Sequence, residues 1–275
     1  MKPPMTLRLV ISDVDGTLVN HAKELTQPTI DAVRRLRGAG IPFTLISARP
    51  PSGVLPLAAR LGLTEPLAAY NGGTILRADG TVTEHYLVPE AVVRGMFALA
   101  EGSDGTPWIF ADGVWHARTL EGVHVEHERR ASCQEPTVTQ DMEPLFGRVE
   151  KLTWVSDDAP ALKALTDHAR KRYGDQATIA QSQTYYLDVT HLKANKGDGI
   201  ATLSSALDVP LADVAVLGDM PNDLPMFARA GLSIAMGQAP AEVRDAASHI
   251  STSNDDDGVA HAIDTILLPL IGARS

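Results

Sequence analysis

Two aspartates stand one residue apart, directly after the first apolar run of the chain. The run Leu7–Ser12 is followed by Asp13 and Asp15, and then by glycine and threonine. A carboxylate pair at the end of a buried strand can divide its work: one group is nucleophile or metal ligand, the other carries a proton. A plain Asp-Gly turn is the alternative interpretation. A calcium loop is excluded, because its sixth position requires glycine and Leu18 stands there.

A second acidic pair follows a later apolar run, in the segment GDMPND. Asp219 and Asp223 come directly after the predicted strand Asp213–Gly218, with Asn222 between them. Ligand sets made only of oxygen atoms are those that Mg²⁺ prefers. The same residues can also cap the helix that follows, and capping is compatible with metal binding. The segment therefore predicts a magnesium site.

Two further polar residues occupy comparable positions. Ser47 ends the predicted strand Ile41–Ser47, where its hydroxyl can donate to a phosphoryl oxygen or cap the next helix. Lys196 stands at the start of a predicted helix, where its charge opposes the helix dipole and favours a nearby anion; a solvated surface lysine is the alternative. Because ligands of open α/β sheets bind outside the carboxyl ends of the strands, we expect all four segments to meet there.

Short strands and helices alternate in the parts of the chain that carry these residues. Up to Gly73 the order is strand, helix, strand, helix, strand, which is typical of a doubly wound parallel α/β sheet of Rossmann-like type. The pattern changes after about residue 82 and returns after Lys196. We therefore predict one core, residues 1–82 and 192–275, that is interrupted by an insertion, residues 83–191.

The insertion has a different pattern from the core. Two helices are predicted in it, Pro89–Ala100 and Ala159–Tyr173, and alternating strand-like runs surround them. Such alternation predicts an antiparallel sheet with one covered face, so the insertion is expected to be an α/β domain. Its three tryptophans are predicted to pack in its interior: Trp108, Trp115 and Trp154.

Composition narrows the class of function. The chain has 275 residues and a formal net charge of −10, which argues against nucleic acid or an anionic membrane as partner. Cys133 is the only cysteine, so no intrachain disulfide can form. No run approaches the ~20 apolar residues of a membrane span, and the N-terminus lacks a signal-peptide pattern. We expect a cytoplasmic protein, monomeric or a small homo-oligomer. The negative charge does not exclude a small anionic substrate, because a metal ion and one lysine can reverse the field inside a cleft.

In chain order, DVDGTL, the strand end at Ser47, Lys196 and GDMPND resemble the four motifs of the haloacid-dehalogenase phosphatases. The segments YNGG, AMGQA and NDDDGVA narrow this to the Cof-type subfamily, class IIB with a C2-type cap, many members of which act on sugar phosphates. The resemblance covers roughly residues 7–82 and 192–268. One departure is Ala48 where the family usually has glycine, so contact of Arg49 with substrate stays open.

The resemblance implies a Mg²⁺-dependent phosphatase that works through an aspartyl-phosphate. Asp13 would be the nucleophile, and Asp15 would protonate the leaving group and later accept a proton from water. The implied metal site is formed by Asp13, Asp15, Asp219 and Asp223, and the implied phosphate and substrate contacts by Ser47, Lys196, Asn71, Gly72 and Asn222. The insertion would close over the cleft as a cap, with His116, Arg118, Tyr185 and Tyr186 as weak candidates for its lining.

Three alternatives differ in what happens to the phosphoryl group. A phosphomutase would use the same nucleophile and return the group to a sugar. A receiver-type signalling module would retain it, and would need neither the insertion nor an aspartate at position 15. A non-catalytic binder of phosphorylated metabolites gains nothing from several carboxylates beside a phosphate. Asp15 and the insertion argue against the signalling module, and hydrolysis is the reaction that we predict.

Overall fold

The computed structural model describes residues 6–122 and 124–272. Within these ranges the strands are β1 (Leu9–Ser12), β2 (Phe43–Leu45), β3 (Leu67–Ala69), β4 (Thr74–Leu76), β5 (Val82–His85), β6 (Thr106–Ala111), β7 (Val114–Ala117), β8 (Thr137–Val138), β9 (Val149–Val155), β10 (Ala177–Gln183), β11 (Tyr186–His191), β12 (Val214–Gly218), β13 (Leu232–Ala235) and β14 (His249–Ile250). The helices are α1 (Gln27–Gly38), α2 (Pro51–Leu61), α3 (Glu90–Leu99), α4 (Val125–Ser132), α5 (Ala159–Tyr173), α6 (Lys196–Ala206), α7 (Leu224–Phe227), α8 (Ala241–Ala246), α9 (Gly258–Ala262) and α10 (Leu268–Gly272).

A five-stranded parallel sheet forms the core, in the order β14-β13-β12-β1-β2. Every residue of β1 and β12 is buried, as expected for parallel strands covered on both faces. An isolated parallel bridge between Ile46 and Ala68 places β3 beside β2. The predicted α/β class with a parallel sheet is confirmed, and the carboxyl ends of these strands lie at one edge.

Local sequence accounts for the helices that separate these strands. In α1, the Thr26 side chain accepts a hydrogen bond from the backbone N–H of Thr29, and a proline occupies the first turn. Val33 and Leu36 form part of its buried face. The helix ends before Gly40, which has a φ of +83° that favours glycine. Capping and apolar spacing therefore agree on where this helix begins and ends.

A second sheet contains the strands of the insertion, in the order β10-β11-β9-β6-β7-β8. Its strand pairs are antiparallel except for β7 with β8. Both faces are covered, since all seven residues of β9 are buried. Along β6, Ile109 belongs to the apolar cluster under α3 and α5, whereas Phe110 belongs to the cluster that is continuous with the core. The expectation of a single covered face was wrong.

Three features of the insertion and its borders differ from the predictions. Helix α4 was not predicted, because its charged sequence VEHERRAS offers few apolar positions from which to read a period. Strand β4 pairs with both β3 and β5 in a small third sheet that was also missed. Trp108 and Trp115 are buried but belong to the cluster shared with the core, whereas Trp154 packs in the insertion's own cluster. Among the described residues, no helix is long and apolar enough to span a membrane.

Candidate active site

Asp13 follows β1 at the carboxyl edge of the core sheet. Its backbone N–H donates to the carbonyl of Leu217 at 2.9 Å, which extends the pairing of β1 with β12 by one residue. Lys196 Nζ donates to Asp13 Oδ1 at 2.5 Å, and both side chains are buried. Burial raises the pKa of Asp13 to about 7, although Lys196 opposes the shift. The lysine predicted from the start of α6 therefore meets the aspartate predicted from β1.

Three carboxylates converge at this edge. Asp13, Asp219 and Asp223 each offer an oxygen atom, and these atoms lie within 4.8 Å of one another. Asp223 also organises the loop, because its Oδ2 accepts the backbone N–H of Asp219 at 2.8 Å and that of Met220 at 3.0 Å. Its Oδ1 accepts from Lys196 Nζ at 2.5 Å. One lysine thus bridges two of three buried carboxylates.

The donor set fits a divalent cation. The pKa of Asp219 is raised well above its usual value, first by burial and then by the charges of Asp13 and Asp223. Thr17 Oγ1 holds the Asp219 carboxylate at 3.1 Å. At Gly16, which has a φ of +80°, an added Cβ would lie 2.2 Å from Asp219 Oδ2. A hard cation with oxygen ligands would relieve this repulsion.

Asp15 does not point into this carboxylate group. Its side chain accepts two hydrogen bonds from Arg49, at 2.7 and 2.8 Å, and one from Lys23 Nζ at 2.7 Å. Burial alone would raise the pKa of Asp15, but the charges of Arg49 and Lys23 outweigh it and hold the pKa below its ordinary range. In this arrangement Asp15 is a carboxylate, and protonation requires that it leave these partners.

Ser47 lies between the two groups of charges. It is buried after β2, and its Oγ accepts the backbone N–H of Arg49 at 3.1 Å. It lines a cavity of about 50 Å³ together with Asp13, Asp15 and Arg49. Since a water molecule needs roughly 10–15 Å³ of such space, the cavity has room for a group the size of a phosphate. Ser47 therefore lines the same cavity as Asp13, and its Oγ lies beside the backbone of Arg49.

Asn222 lines the same cavity, whereas Asn71 and Gly72 do not. Asn222 Nδ2 lies 3.5 Å from Asn71 Oδ1, and Asn222 Oδ1 is buried without a hydrogen-bond partner among the described residues. Gly72, with a φ of +98°, packs against α6: an added Cβ would lie 2.8 Å from the Cα of Gly199. The structure places Asn71 beside the site and Gly72 behind it.

The predicted site residues are therefore largely brought together. Of the candidates in the insertion, Tyr186 lines the cavity. The other three do not line it: the His116 ring nitrogen bonds to Thr139 Oγ1, the Arg118 carbonyl accepts from Gln140, and Tyr185 stacks on His124.

Several residues that line the cavity were not predicted: Lys23, His127, Glu128, Lys151, Ser182 and Gln183. Lys151 left a weak signal in the sequence, because it and Glu150 are charged residues inside the strand run VEKLTWV, which is otherwise apolar except for one threonine. Glu128 left none, because it lies among the charges of an unpredicted helix. Burial of these side chains depends on how the insertion packs against the core.

Comparison with known proteins agrees with this geometry. A family model described as haloacid dehalogenase-like hydrolase matches residues 10–263. A 5-amino-6-(5-phospho-D-ribitylamino)uracil phosphatase of Bacillus subtilis is 25% identical and aligns over 94% of this chain and 94% of its own. An HMP-PP phosphatase of Yersinia enterocolitica is 25% identical over 92% of this chain and 93% of its own.

A solved structure extends the similarity to the whole fold. A haloacid dehalogenase-like hydrolase from Bacteroides thetaiotaomicron superimposes with a TM-score of 0.82 at 27% identity, over 95% of this chain and 100% of that one. The family match covers both the core and the insertion. The resemblance inferred from the motifs is confirmed. The chain belongs to the haloacid dehalogenase-like hydrolases, and within them it is a phosphoric monoester hydrolase.

Proposed function

We propose that this chain is a Mg²⁺-dependent phosphatase that hydrolyses small phosphomonoesters through an aspartyl-phosphate on Asp13. One observation carries the proposal: Asp13, Lys196, Asp219 and Asp223 converge at the edge of one sheet, and Asp13 lines a cavity together with Ser47. A buried nucleophile, a buried lysine and an oxygen-only cation site are the parts that phosphoryl transfer needs.

The proposed first step is attack by an Asp13 carboxylate oxygen on phosphorus, with departure of the alkoxide. Lys196 already bonds Oδ1 of Asp13, so Oδ2 is the oxygen left for attack. Lys196 and Ser47 neutralise and position the phosphoryl oxygens. A magnesium ion, when bound, would supply further positive charge there. Asp13, the Asp15 carbonyl and Asp219 would hold it, and Asp223 with Asn222 would orient the surrounding groups.

Asp15 is proposed to protonate the leaving oxygen and then to take a proton from the attacking water. The pairing of Asp15 with Arg49 and Lys23 sets a condition on this role. A phosphomonoester brings negative charge into the cavity that both cations line, so it competes with Asp15 for them. In the second step Asp15 accepts a proton from water. It does so as a carboxylate, which is the form that Arg49 and Lys23 stabilise.

We further propose that residues 83–191 act as the cap over this site. Contacts between the insertion and the start of α2 support this role. Lys151 Nζ donates to the carbonyl of Ala48 at 3.3 Å, and Ser52 Oγ donates to the carbonyl of Ser132 at 2.6 Å. The insertion therefore covers the cavity in this structure, and substrate entry requires that these contacts open.

The substrate is proposed to be a small phosphorylated metabolite, with sugar phosphates as the first class to test. The purified chain is assayed for release of inorganic phosphate from a panel of small phosphomonoesters, with Mg²⁺ and with EDTA. We expect release only with the cation, and an acid-stable phosphoprotein that accumulates in Asp15→Asn. Release that is insensitive to EDTA would contradict the metal role. A labelled aryl phosphate, whose leaving group needs no proton from residue 15, that never labels Asp15→Asn would contradict the intermediate.

A further inference from the structure

The wall of the cavity that the insertion supplies carries its own charges. Glu128 on α4 and Lys151 on β9 both line the cavity opposite the nucleophile, together with Gln183 and Tyr186. Glu128 is 6% exposed and Lys151 is 4% exposed. Two opposite charges that are more than nine-tenths buried are costly unless something pairs with them.

Glu128 is the less satisfied of the two. Among the described residues, nothing donates a hydrogen bond to its carboxylate and no cation lies within 4.0 Å of it. Every other carboxylate that lines the cavity, Asp13 and Asp15, has at least one such partner. A buried carboxyl group without a partner that faces a cavity is placed to bond a ligand in that cavity.

Lys151 is only partly satisfied. Its ammonium group donates one hydrogen bond, to the carbonyl of Ala48 at 3.3 Å, and lies 4.5 Å above the ring of Phe110. An ammonium has three donors, so N–H groups are left for a ligand. The charged groups that act on Glu128 are Lys151, Asp188, Asp15 and Arg49, and burial raises the pKa of Glu128 to about 7.

We propose that Glu128 and Lys151 form a leaving-group subsite that selects neutral, hydroxyl-bearing leaving groups over anionic ones. This inference rests on the proposed phosphatase function. A hydroxyl can donate to Glu128 and accept from Lys151, so a leaving group with adjacent hydroxyls satisfies both residues. A carboxylate or a second phosphate in the same place would be repelled by the negative charge of Glu128. The substrate already lies beside two further carboxylates, those of Asp13 and Asp15.

The selection can be measured with two pairs of esters that differ in one carboxylate. Glycerol 1-phosphate is compared with 3-phosphoglycerate, and ethylene glycol phosphate with phosphoglycolate, at pH 8 with Mg²⁺, where Glu128 is ionised. The quantity is the ratio of kcat/KM for the neutral ester to that for the anionic one. We expect the wild-type ratio to exceed one, and to fall about tenfold in Glu128→Gln, which keeps the shape of the side chain.

Two variants separate this role from a structural one. Glu126→Gln alters an exposed glutamate of the same helix, which pairs with Arg129 and Arg130, and is expected to leave the ratio unchanged. Lys151→Met is expected to shift the ratio in the opposite direction from Glu128→Gln, because the anionic ester loses the one lysine or arginine that the described residues of the insertion place in the cavity lining. Thermal unfolding of each variant checks that it is folded.

The outcomes are distinct. An active wild type whose ratio does not change in folded Glu128→Gln overturns the subsite and leaves the phosphatase proposal standing. A wild type that prefers the anionic esters also overturns the subsite. If the wild type releases phosphate from no ester under any metal condition, the proposed function fails, and this inference fails with it.

Discussion

The two walls of the cavity differ in how completely their polar groups are paired. On the core wall, Asp13 and Asp223 share Lys196, and Asp15 is held by Arg49 and Lys23. On the wall from the insertion, Glu128 has no partner among the described residues, and Lys151 has one hydrogen bond. A paired wall is preorganised for one reaction, whereas an unpaired wall leaves its bonds to the ligand. We therefore propose that the core wall carries out the chemistry and that the wall from the insertion selects the substrate.

The largest effect is expected from a substitution on the core wall, at the proposed nucleophile Asp13. Asp13→Asn should lower kcat by at least about 10⁴-fold, because an amide is neither a nucleophile nor a good ligand for a cation. Phosphate release with Mg²⁺ measures it. Asp112→Asn, at an exposed aspartate of the insertion with a φ of +53°, is the matched control and should retain wild-type turnover. Turnover of Asp13→Asn near that of wild type would place the nucleophile elsewhere.

Removal of the shared lysine should cost stability as well as activity. Lys196→Met leaves Asp13 and Asp223 buried without their cation, so the free energy of unfolding should fall by about 3–5 kcal/mol, as measured by urea denaturation. Mg²⁺ should raise the stability of this variant more than that of wild type, because it restores positive charge among the carboxylates. Lys163→Met, at an exposed i,i+4 pair with Asp167, should change stability by less than about 0.5 kcal/mol. Equal effects of the two substitutions would contradict the buried network.

A pH series tests the unpaired wall. Burial raises the pKa of Glu128 from 4.5 to about 7, so the folded chain binds a proton there more tightly than the unfolded chain does. Its contribution therefore favours folding as the pH falls from 8 to 5. Glu128→Gln removes the cost of burying an ionised carboxylate at high pH. The variant should therefore be more stable than wild type by about 1–3 kcal/mol at pH 8, and the two proteins should have nearly equal stability at pH 5.

The control for that series is Glu126→Gln, whose stability difference from wild type should not depend on pH in this way. The raised pKa of Asp13 also makes folding less favourable as the pH rises, but it does so equally in wild type and in Glu128→Gln. The difference in stability between the two proteins therefore isolates Glu128. A difference that is flat between pH 5 and pH 8 would show that Glu128 is not a buried, unpaired carboxyl group.

The smallest effect is expected where the insertion packs against the core, at the contact between α2 and α4. At Gly53 on α2, an added Cβ would lie 2.2 Å from the carbonyl oxygen of Ala131 on α4. Gly53→Ala should therefore displace the insertion, lower stability by about 1–2 kcal/mol and lower kcat/KM about tenfold. Gly38→Ala, on α1 with no atom within 4 Å, should be neutral or stabilising. If Gly53→Ala behaves as Gly38→Ala does, the close approach of α2 and α4 is not needed for turnover.

Much of the core wall could be predicted because its residues are fixed by local pattern. Asp13, Ser47 and Asp219 each come directly after or near the end of an apolar strand run, and parallel strands bring such ends to one edge whatever the loops do. Gly72 shows the limit: it was expected to contact substrate, but it packs against Gly199 on α6 and does not line the cavity. Chain position near a site does not tell which way a residue faces.

The insertion wall was much less predictable for the same reason. Lys151 could be noticed, with Glu150, as a charge in a mostly apolar strand, yet Glu128 looks like any exposed glutamate of a charged helix. Of the four candidates chosen there, the structure places only Tyr186 in the cavity lining. The position of helix α4 depends on its contacts with α2. Those contacts join parts of the chain that are far apart in sequence.

The sequence by itself determined the family, the α/β core and the set of groups available for phosphoryl transfer, because strand runs and short motifs are local properties. Only the tertiary structure decided how those groups are charged and paired. It holds Asp15 against Arg49 and Lys23, and it buries Glu128 without a partner. A pKa and a hydrogen bond depend on burial and on neighbours from distant segments, and no local pattern specifies either.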